Sequence, residues 1–131
     1  NAVALGAAQI EFIAVTGDEF LPASLPLVDL IVSNPPYVPE RLRAGLSADV
    51  RDFEPHAALF GGPDGLDVIR GLVRAVPHRL KPGGALVMEI GVEQAEETSI
   101  IVADAGLTLD TIRPDLQGIP RVVVAHRPPG R

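Results

Sequence analysis

Short apolar runs rich in β-branched residues alternate along this chain with a segment whose apolar residues recur at helical spacing. The runs Val28–Ser33 (VDLIVS) and Ala85–Ile90 (ALVMEI) are almost continuously apolar, as is typical of parallel strands covered on both faces. Between them, Leu66–Leu80 places its apolar residues on one face of a helix, which Pro77 is expected to kink or end. This alternation predicts an α/β domain with a mostly parallel sheet.

The remaining elements continue the pattern on either side of these runs. Gln9–Val15 (QIEFIAV) is predicted to be a strand that ends in a loop. The other predicted elements are a tight turn at Lys81–Gly84, a helix at Glu93–Ala105 and two strands at Leu107–Ile112 and Arg121–His126. Because no helix separates the last two strands, we expect the last strand to be antiparallel.

Composition excludes several classes of function. The 131 residues are the size of one domain, and 17 acidic against 11 basic side chains give a net charge of −6. This balance argues against a general nucleic-acid binder, which usually has a basic face. The chain has no cysteine, and its three histidines show no metal-ligand spacing, so no metal site is predicted. No apolar run reaches the roughly 18 residues that span a bilayer, and no signal-peptide pattern is present. We therefore expect a soluble, cytoplasmic protein without membrane contact.

The motif Asn34-Pro35-Pro36-Tyr37 directly follows the first apolar run. In open α/β sheets, ligands bind outside the carboxyl ends of the strands. Because a residue before proline is held extended and the two prolines fix the backbone, the Asn34 amide points in a set direction. This amide both donates and accepts, the Pro35 carbonyl is a second acceptor, and Tyr37 offers a flat face to a planar group. The motif predicts a site for an –NH₂ group; the alternative is a proline-rich end to a strand.

The motif and the segments after it resemble a known family. DLIVSNPPYV is similar to motif IV of the class I amino-methyltransferases, which use S-adenosylmethionine. VRDFEPHAALFGGPDGLDVIRGLV, followed by LKPGGALVMEIG and DLQGIPRVVVA, closely resembles the HemK/PrmC family. Members of that family methylate the glutamine of the Gly-Gly-Gln loop in peptide chain release factors. The resemblance covers nearly the whole chain, and its FEP…AL…GG.DGL pattern is more specific than NPPY alone.

The resemblance implies a fold and an activity. The fold is that of the class I S-adenosylmethionine-dependent methyltransferases, which is Rossmann-like. Residues 1–131 match the C-terminal half of the family's catalytic domain, so we expect a glycine-rich cofactor loop and a helical domain ahead of Asn1. The chain is then an incomplete catalytic domain, inactive by itself. The implied cofactor is S-adenosyl-L-methionine, with S-adenosyl-L-homocysteine as product. The implied partners are release factors, with no direct contact to nucleic acid.

The resemblance assigns the catalytic and substrate-binding roles to Asn34, Pro35, Pro36 and Tyr37. Asn34 and the Pro35 carbonyl would accept hydrogen bonds from the glutamine amide and aim its nitrogen at the methyl carbon. Methyl transfer is an in-line displacement, so positioning is expected to supply much of the rate acceleration. Neither a metal nor a covalent intermediate is needed for this chemistry.

The resemblance also implies a cofactor site formed by Asp18, Glu19 and Phe20 together with Asn34. The TGDEF segment matches the family's loop beside the adenine ring. Glu19 departs from the family pattern, because relatives often have an aromatic residue there that could stack on adenine; the aromatic Phe20 is adjacent. The alternative is that the segment is only a solvated turn.

Three further residues have two interpretations each. Phe53 and Glu54 follow the motif in a long loop, and the resemblance implies that they form a wall near Tyr37 that cradles the substrate. Alternatively, they are a buried aromatic residue and a surface acid that close the loop. Glu89 comes at the end of a predicted strand on the ligand side of the sheet, where it either lines the site or caps the strand.

Two other functions stay open at this point. The NPPY motif is shared with enzymes that methylate amino groups of nucleic-acid bases, which are flipped out of the stack for the reaction. The other is an inactive fragment that only binds a partner. We also predict self-association, because Gln9–Val15 would be an exposed edge strand able to pair with a second copy.

Overall fold

A computed structural model of the chain describes residues 6, 9–14, 20–45 and 55–130. Its strands are β1 (Val28–Ser33), β2 (Leu80–Glu89), β3 (Thr108–Pro114) and β4 (Pro120–His126). Its α-helices are α1 (His56–Leu59), α2 (Asp67–Ala75) and α3 (Ala95–Asp104), with 3₁₀ turns at Glu40–Gly45 and Val76–His78. The α/β class is confirmed, and β1 has the bounds predicted from the sequence.

Within the described residues, four strands form one sheet in the order β1-β2-β4-β3. β1 pairs in parallel with β2, with Ile31 opposite Leu86 and Ser33 opposite Met88. β4 is antiparallel to both of its neighbours, β2 and β3. Three strands therefore run the same way, which confirms a mostly parallel sheet with an antiparallel last strand. The carboxyl ends of β1 and β2 meet at one edge of this sheet.

The two longer helices belong to a single hydrophobic core. On α2 the apolar stripe of Ile69, Leu72 and Val73 is buried. These side chains share the core with Val102 of α3 and with the residues on one face of β2 and β4, namely Leu86, Met88, Val123 and Ala125. Burial of apolar surface contributes about 25 cal/mol per Å², so this stripe fixes α2 beneath the sheet.

In the part of the chain that the structure describes, the other face of β1 is largely exposed, which differs from the expectation that this strand is covered on both faces. Ile31 is buried, whereas Leu30 and Val32 are 52% and 68% exposed. Side chains alternate between the two faces of a strand, so a helical layer on one face covers only every second residue. The apolar character of the run therefore predicted the strand and not the extent of its burial.

Helix α2 also differs from its predicted bounds. The helix predicted over Leu66–Leu80 ends at Ala75, and Pro77 lies in the 3₁₀ turn that follows. Proline lacks an N–H and cannot continue an α-helix, so the helix ends before it.

Lys81–Gly84 is a bulge inside β2 and not the tight turn predicted between a helix and a strand. The single residue Asp29 of β1 faces these four residues of β2. Gly83 has a φ of 80°, and its N–H donates to the carbonyl of Arg127 at 2.9 Å. The backbone after β4 therefore supplies the partner that keeps this glycine-containing segment in the sheet.

Residues 9–14 carry no strand, so the prediction of a strand at Gln9–Val15 is wrong over these residues. Phe12 is 80% exposed, and Ile10 and Ile13 are about half exposed. A strand needs a neighbour whose backbone completes the hydrogen-bond ladder, and no described strand lies beside this segment. The prediction of self-association assumed an exposed edge strand here, and residues 9–14 do not form one.

Candidate functional site

The motif begins where β1 ends, and it lies next to the carboxyl end of β2. β1 ends at Ser33 and β2 at Glu89. Asn34 is exposed and Pro35 is buried. In the part of the chain that the structure describes, neither the Asn34 side-chain amide nor the Pro35 carbonyl has a hydrogen-bond partner. Among the described residues, nothing therefore competes with a bound molecule for these two polar groups.

Two small clefts meet at Asn34. The first, of about 260 Å³, opens over the strand ends and is lined by Val32, Ser33, Asn34, Val87, Glu89 and Val122. The second, of about 250 Å³, contains the motif itself together with Val38, Ala58 and Leu59. Asn34 is thus the residue that the strand-end cleft and the motif cleft share.

Tyr37 is held at its hydroxyl end. The Tyr37 hydroxyl donates to Oε1 of Glu89 at 2.6 Å. Burial of the phenol raises the pKa of Tyr37, the hydrogen bond and the charge of Glu89 raise it further, and Arg121 opposes the shift. Glu89 therefore lines the strand-end cleft and also orients the aromatic side chain of the motif.

Gln94 holds the same tyrosine by its backbone. The residue is buried, with 6% of its surface exposed. Nε2 of Gln94 donates to the Tyr37 carbonyl at 2.9 Å, and Oε1 accepts from the N–H of Gly91 at 2.8 Å. One buried amide therefore connects the motif to the turn that follows β2.

The backbone after the motif pairs with the FGGPDG segment. The N–H of Val38 donates to the Leu59 carbonyl at 2.9 Å, and the N–H of Gly61 donates to the Val38 carbonyl at 3.1 Å. Glu40 then donates from its N–H to the carbonyl of Gly62 at 3.0 Å. These bonds lay residues 38–40 along residues 59–62 as a short two-stranded ladder.

Two glycines of this segment touch the motif too closely for any side chain. A methyl group at Gly61 would lie 2.6 Å from the carbonyl oxygen of Pro36 and would overlap that of Gly65. At Gly65, where φ is 82°, a methyl group would overlap the carbonyl oxygen of Tyr37. Only glycine fits this conformation and this close approach. The GG.DGL pattern therefore has a structural reason, which is to bring the segment against the motif.

Asp64 fixes the same segment to the start of α2. Its Oδ1 accepts from the N–H of Leu66 at 3.0 Å, and Oδ2 accepts from Nη2 of Arg70 at 2.7 Å. The Arg70 hydrogen bond, followed by that from Leu66, lowers the pKa of Asp64. The pair lies near the surface, so it supports the local turn more than it stabilises the whole fold.

Two curated relatives match this chain over almost its whole length. A release factor glutamine methyltransferase of Bradyrhizobium diazoefficiens is 45% identical over 133 residues, which cover 98% of this chain and 43% of the relative. That of Cereibacter sphaeroides is 42% identical over 128 residues, covering 98% of this chain and 45% of the relative. The chain is a homologue of release factor glutamine methyltransferases. It spans less than half the length of these relatives, and no protein-family model matches it.

Solved structures of other proteins show which fold this chain has. The E. cuniculi Mtq2–Trm112 complex, described as responsible for methylation of the eRF1 termination factor, matches with a TM-score of 0.56 and 23% identity. That match covers 97% of this chain and 68% of the other. A Thermus thermophilus protein solved with S-adenosyl-L-methionine, described as a DNA modification methylase, matches with a TM-score of 0.52 and 20% identity over 83% of this chain and 52% of the other. At these identities the likeness shows the class I methyltransferase fold alone.

The structure of this chain does not bring all the predicted site residues together. The Phe20 ring packs against Gly71 of α2, where a methyl group would overlap it, and Phe20 lines neither cleft that contains Asn34. Four of the predicted site residues lie outside the described part of the chain: Asp18, Glu19, Phe53 and Glu54. Their assigned roles stay predictions.

Sequence reasoning missed Gln94 and gave no role to Gly61 or Gly65. The signal for the glycines was the GG.DGL pattern itself. For Gln94 the signal was weak, namely a glutamine in the turn after a buried strand and before an acidic helix start. Within residues 20–45 and 55–130, no three His, Asp or Glu side chains are grouped so as to hold a metal ion. Nor does any helix there have the length and apolar character to cross a membrane.

Proposed function

We propose that this chain forms the amide-binding part of a release factor glutamine methyltransferase. The enzyme would methylate the side-chain amide nitrogen of the glutamine in the Gly-Gly-Gln loop, using S-adenosyl-L-methionine. One observation carries the proposal: the NPPY motif follows β1 at the sheet edge, in a chain 45% identical to a relative of that name.

The geometry at Asn34 suits a primary amide. The substrate –NH₂ group has two hydrogens, and the chain offers two oxygens, the Asn34 side-chain oxygen and the Pro35 carbonyl. Both lack a partner among the described residues. The fixed φ of Pro35 and Pro36 limits how far these oxygens can move. Asn34 also has an amide N–H₂ that can donate to the substrate carbonyl, so all the polar atoms of a glutamine amide find partners.

Orientation is the chemistry that these residues supply. An amide nitrogen is a poor nucleophile because its lone pair is delocalised into the carbonyl. Two acceptors on its hydrogens draw charge onto the nitrogen and hold it in one direction. When bound, S-adenosyl-L-methionine supplies a methyl group already activated by the sulfonium. Because holding the reacting atoms in line can contribute about 7–11 kcal/mol to lowering the barrier, no metal is required.

The size of the two clefts at Asn34 limits what those two clefts can hold. Cofactor pockets usually enclose about 300–1,000 Å³. The clefts at Asn34 enclose about 260 and 250 Å³, which suits a side-chain amide and the reacting end of the cofactor. The rest of the cofactor would depend on Asp18 and Glu19, which lie outside the described residues, and on the parts of the relatives that this chain does not span.

The proposed partner is a release factor, and the proposed compartment is the cytoplasm, where translation terminates. The net charge of −6 is unfavourable for binding the phosphate backbone of a nucleic acid. A base-methylating enzyme is therefore the weaker candidate, although the NPPY motif would also suit a flipped base.

Transfer of a labelled methyl group tests the proposal. The full-length gene product carrying this sequence is incubated with methyl-labelled S-adenosyl-L-methionine and a release factor. Label is expected on the Gly-Gly-Gln glutamine and is expected to be absent when that glutamine is replaced by glutamate. Label on duplex DNA or RNA, with none on the release factor, would contradict the proposal and support the alternative.

A calorimetric titration separates the chain from the whole enzyme. S-adenosyl-L-methionine is titrated into the 131-residue chain and into the full-length gene product in parallel. We expect binding to the full-length gene product alone. Micromolar binding to the shorter chain would contradict the assignment of most cofactor contacts to residues beyond it.

A further inference from the structure

We propose that Gln94 is a positioning residue for the methyl acceptor. Its side chain fixes the backbone of the NPPY motif at Tyr37, at the opposite end of the motif from Asn34. This inference rests on the proposed function. Gln94 does not touch the proposed substrate and acts through Tyr37. Sequence comparison with the motif alone does not point to it, since it lies 57 residues from Tyr37.

The chemistry of its two partners leaves one orientation for the Gln94 amide. The N–H of Gly91 can only donate, so it faces Oε1 at 2.8 Å. The carbonyl of Tyr37 can only accept, so it faces Nε2 at 2.9 Å. With 6% of the residue exposed, water cannot easily replace either bond. Loss of the side chain would leave a buried donor and a buried acceptor unpaired.

The side chain of Gln94 is not needed to begin α3. Gln94 is the residue before the helix, but its side chain makes no capping bond. Its backbone carbonyl already accepts from the N–H of Thr98 at 2.9 Å. The buried amide is therefore directed away from the helix and toward the motif. A purely helix-stabilising role does not explain where its two hydrogen bonds go.

The restraint at Tyr37 reaches Asn34 through rigid backbone. Only Pro35 and Pro36 separate the two residues, and proline rings fix φ near −65°. Gln94 holds the Tyr37 carbonyl while Glu89 holds the Tyr37 hydroxyl, so both ends of the residue are fixed. Gly65 also approaches the same carbonyl so closely that a methyl group there would overlap it. A shift at Tyr37 would therefore displace the oxygens that orient the substrate amide.

Tyr37 provides a spectroscopic readout that is independent of activity. It is the single tyrosine of the 131-residue chain, which has no tryptophan. Absorbance of the phenolate during an alkaline titration therefore reports this side chain alone. Burial and Glu89 raise the pKa of Tyr37 in the native structure. Release of the motif should bring that pKa back toward the ordinary value of about 10.

The first test replaces Gln94 by a residue of similar size that makes no hydrogen bonds. In Gln94→Met, kcat on the release factor should fall about 10- to 100-fold, because a misplacement of about 1 Å is enough for such a loss. KM for the release factor should stay within about threefold, since the contacts that bind the partner are kept. In the 131-residue chain, the Tyr37 titration should move to lower pH.

Thr98→Val is the matched control. Thr98 lies in α3 one turn after Gln94 and is fully buried, and its hydroxyl oxygen has no hydrogen-bond partner among the described residues. Its removal should leave kcat and the Tyr37 titration unchanged. An equal loss in Thr98→Val would show that Gln94 acts only through packing of the helix, which would overturn the proposal. So would wild-type kcat and a wild-type Tyr37 titration in Gln94→Met.

A second variant keeps the test decisive if Gln94→Met does not fold. In Gln94→Glu the ionised carboxylate cannot donate to the Tyr37 carbonyl, whereas the protonated acid can. Burial raises the pKa of a carboxyl group, so the introduced glutamate should become protonated as the pH falls from about 8 to about 6. The ratio of the variant's kcat to that of wild type should therefore rise over this range. A constant ratio over this range would contradict the proposal.

The pH dependence of kcat is also measured for the wild-type protein, because it contains the same charged groups around this position. Dividing by the wild-type value removes their contribution. These are the charged residues of the clefts that meet at Gln94, together with the partner of Tyr37: Arg41, Asp64, Arg70, Glu89, Glu93, Glu97 and Arg121. If wild type methylates no release factor, the proposed function has failed. The Tyr37 titration still decides whether Gln94 anchors the motif.

Discussion

The two ends of the NPPY motif differ in how the protein treats them. At one end Asn34 is exposed, and no described residue bonds to its side chain. At the other end Tyr37 is bonded at its hydroxyl by Glu89 and at its carbonyl by Gln94, and its carbonyl also packs against Gly65. Four consecutive residues thus divide into a free end and an anchored end. A loop that is fixed at Tyr37 can therefore present the unpaired Asn34 amide to a ligand while its backbone keeps one conformation.

The largest expected effect comes from the free end. Asn34→Ala should lower kcat on the release factor about 10²- to 10³-fold, as removal of one oriented polar group does in other active sites. The free energy of unfolding should change by no more than about 0.5 kcal/mol, because Asn34 is exposed and unbonded among the described residues. Kinetics and urea denaturation of the same variant check this. A large loss of stability would show that Asn34 also supports the fold and would remove the contrast between the two ends.

The second prediction concerns the anchored end. Gly65→Ala should lower the free energy of unfolding by about 2–4 kcal/mol, because a methyl group combines left-handed strain with overlap of the Tyr37 carbonyl. Gly118→Ala is the control, since Gly118 has the same φ of 82° and open space around it. It should cost only about 1–2 kcal/mol. Equal losses in the two variants, measured by urea denaturation, would contradict a close contact at Tyr37.

The third prediction uses the pH dependence of the tyrosine anchor. The native pKa of Tyr37 is raised above the unfolded value of 10.0, so the native state holds this proton more tightly. Its contribution to stability is complete below about pH 10 and is lost as the pH rises through the native pKa. Tyr37→Phe should therefore lose stability less steeply than wild type above about pH 10. Parallel slopes in denaturation at about pH 8 and above about pH 10 would mean that neither burial nor the bond to Glu89 raises the pKa of Tyr37 in the native state.

The smallest effect is expected at the edge of the anchored region. Arg70→Ala removes the exposed pairing with Asp64 and Asp67 and should cost about 1 kcal/mol or less. The loss should shrink further at high salt, because exposed ion pairs are screened. Thermal unfolding at low and high salt checks this. A loss independent of salt would indicate that Arg70 stabilises the segment by packing and not by charge.

Local pattern was enough to predict the position of the motif. The bounds of β1 and its end just before Asn34 follow from one apolar run and two prolines, which are adjacent in sequence. The antiparallel last strand followed from the missing helix between two runs. These features depend on neighbours along the chain, so a single sequence contains the information for them.

Features that depend on distant partners were missed or predicted wrongly. The strand expected at Gln9–Val15 had a suitable composition, but residues 9–14 have no neighbouring strand in the described sheet. The open face of β1 reflects where the helices pack. Gln94 bonds to a residue 57 positions away, and no spacing rule connects the two. The anchored end of the site was therefore less predictable than the free end.

The order of the sheet has a consequence for how this chain is made. β4 is the last of the four described strands to be synthesised, yet it lies between β2 and β3 and pairs with both. While a nascent chain still lacks residues 120–126, β3 has no partner in the described sheet and β2 is paired on one side only. A ribosome that stops just before Pro120 would thus release a chain with two unpaired strand edges, the kind of product that aggregates or is degraded. The enzyme proposed to act on translation termination would itself depend on translation reaching residues 120–126.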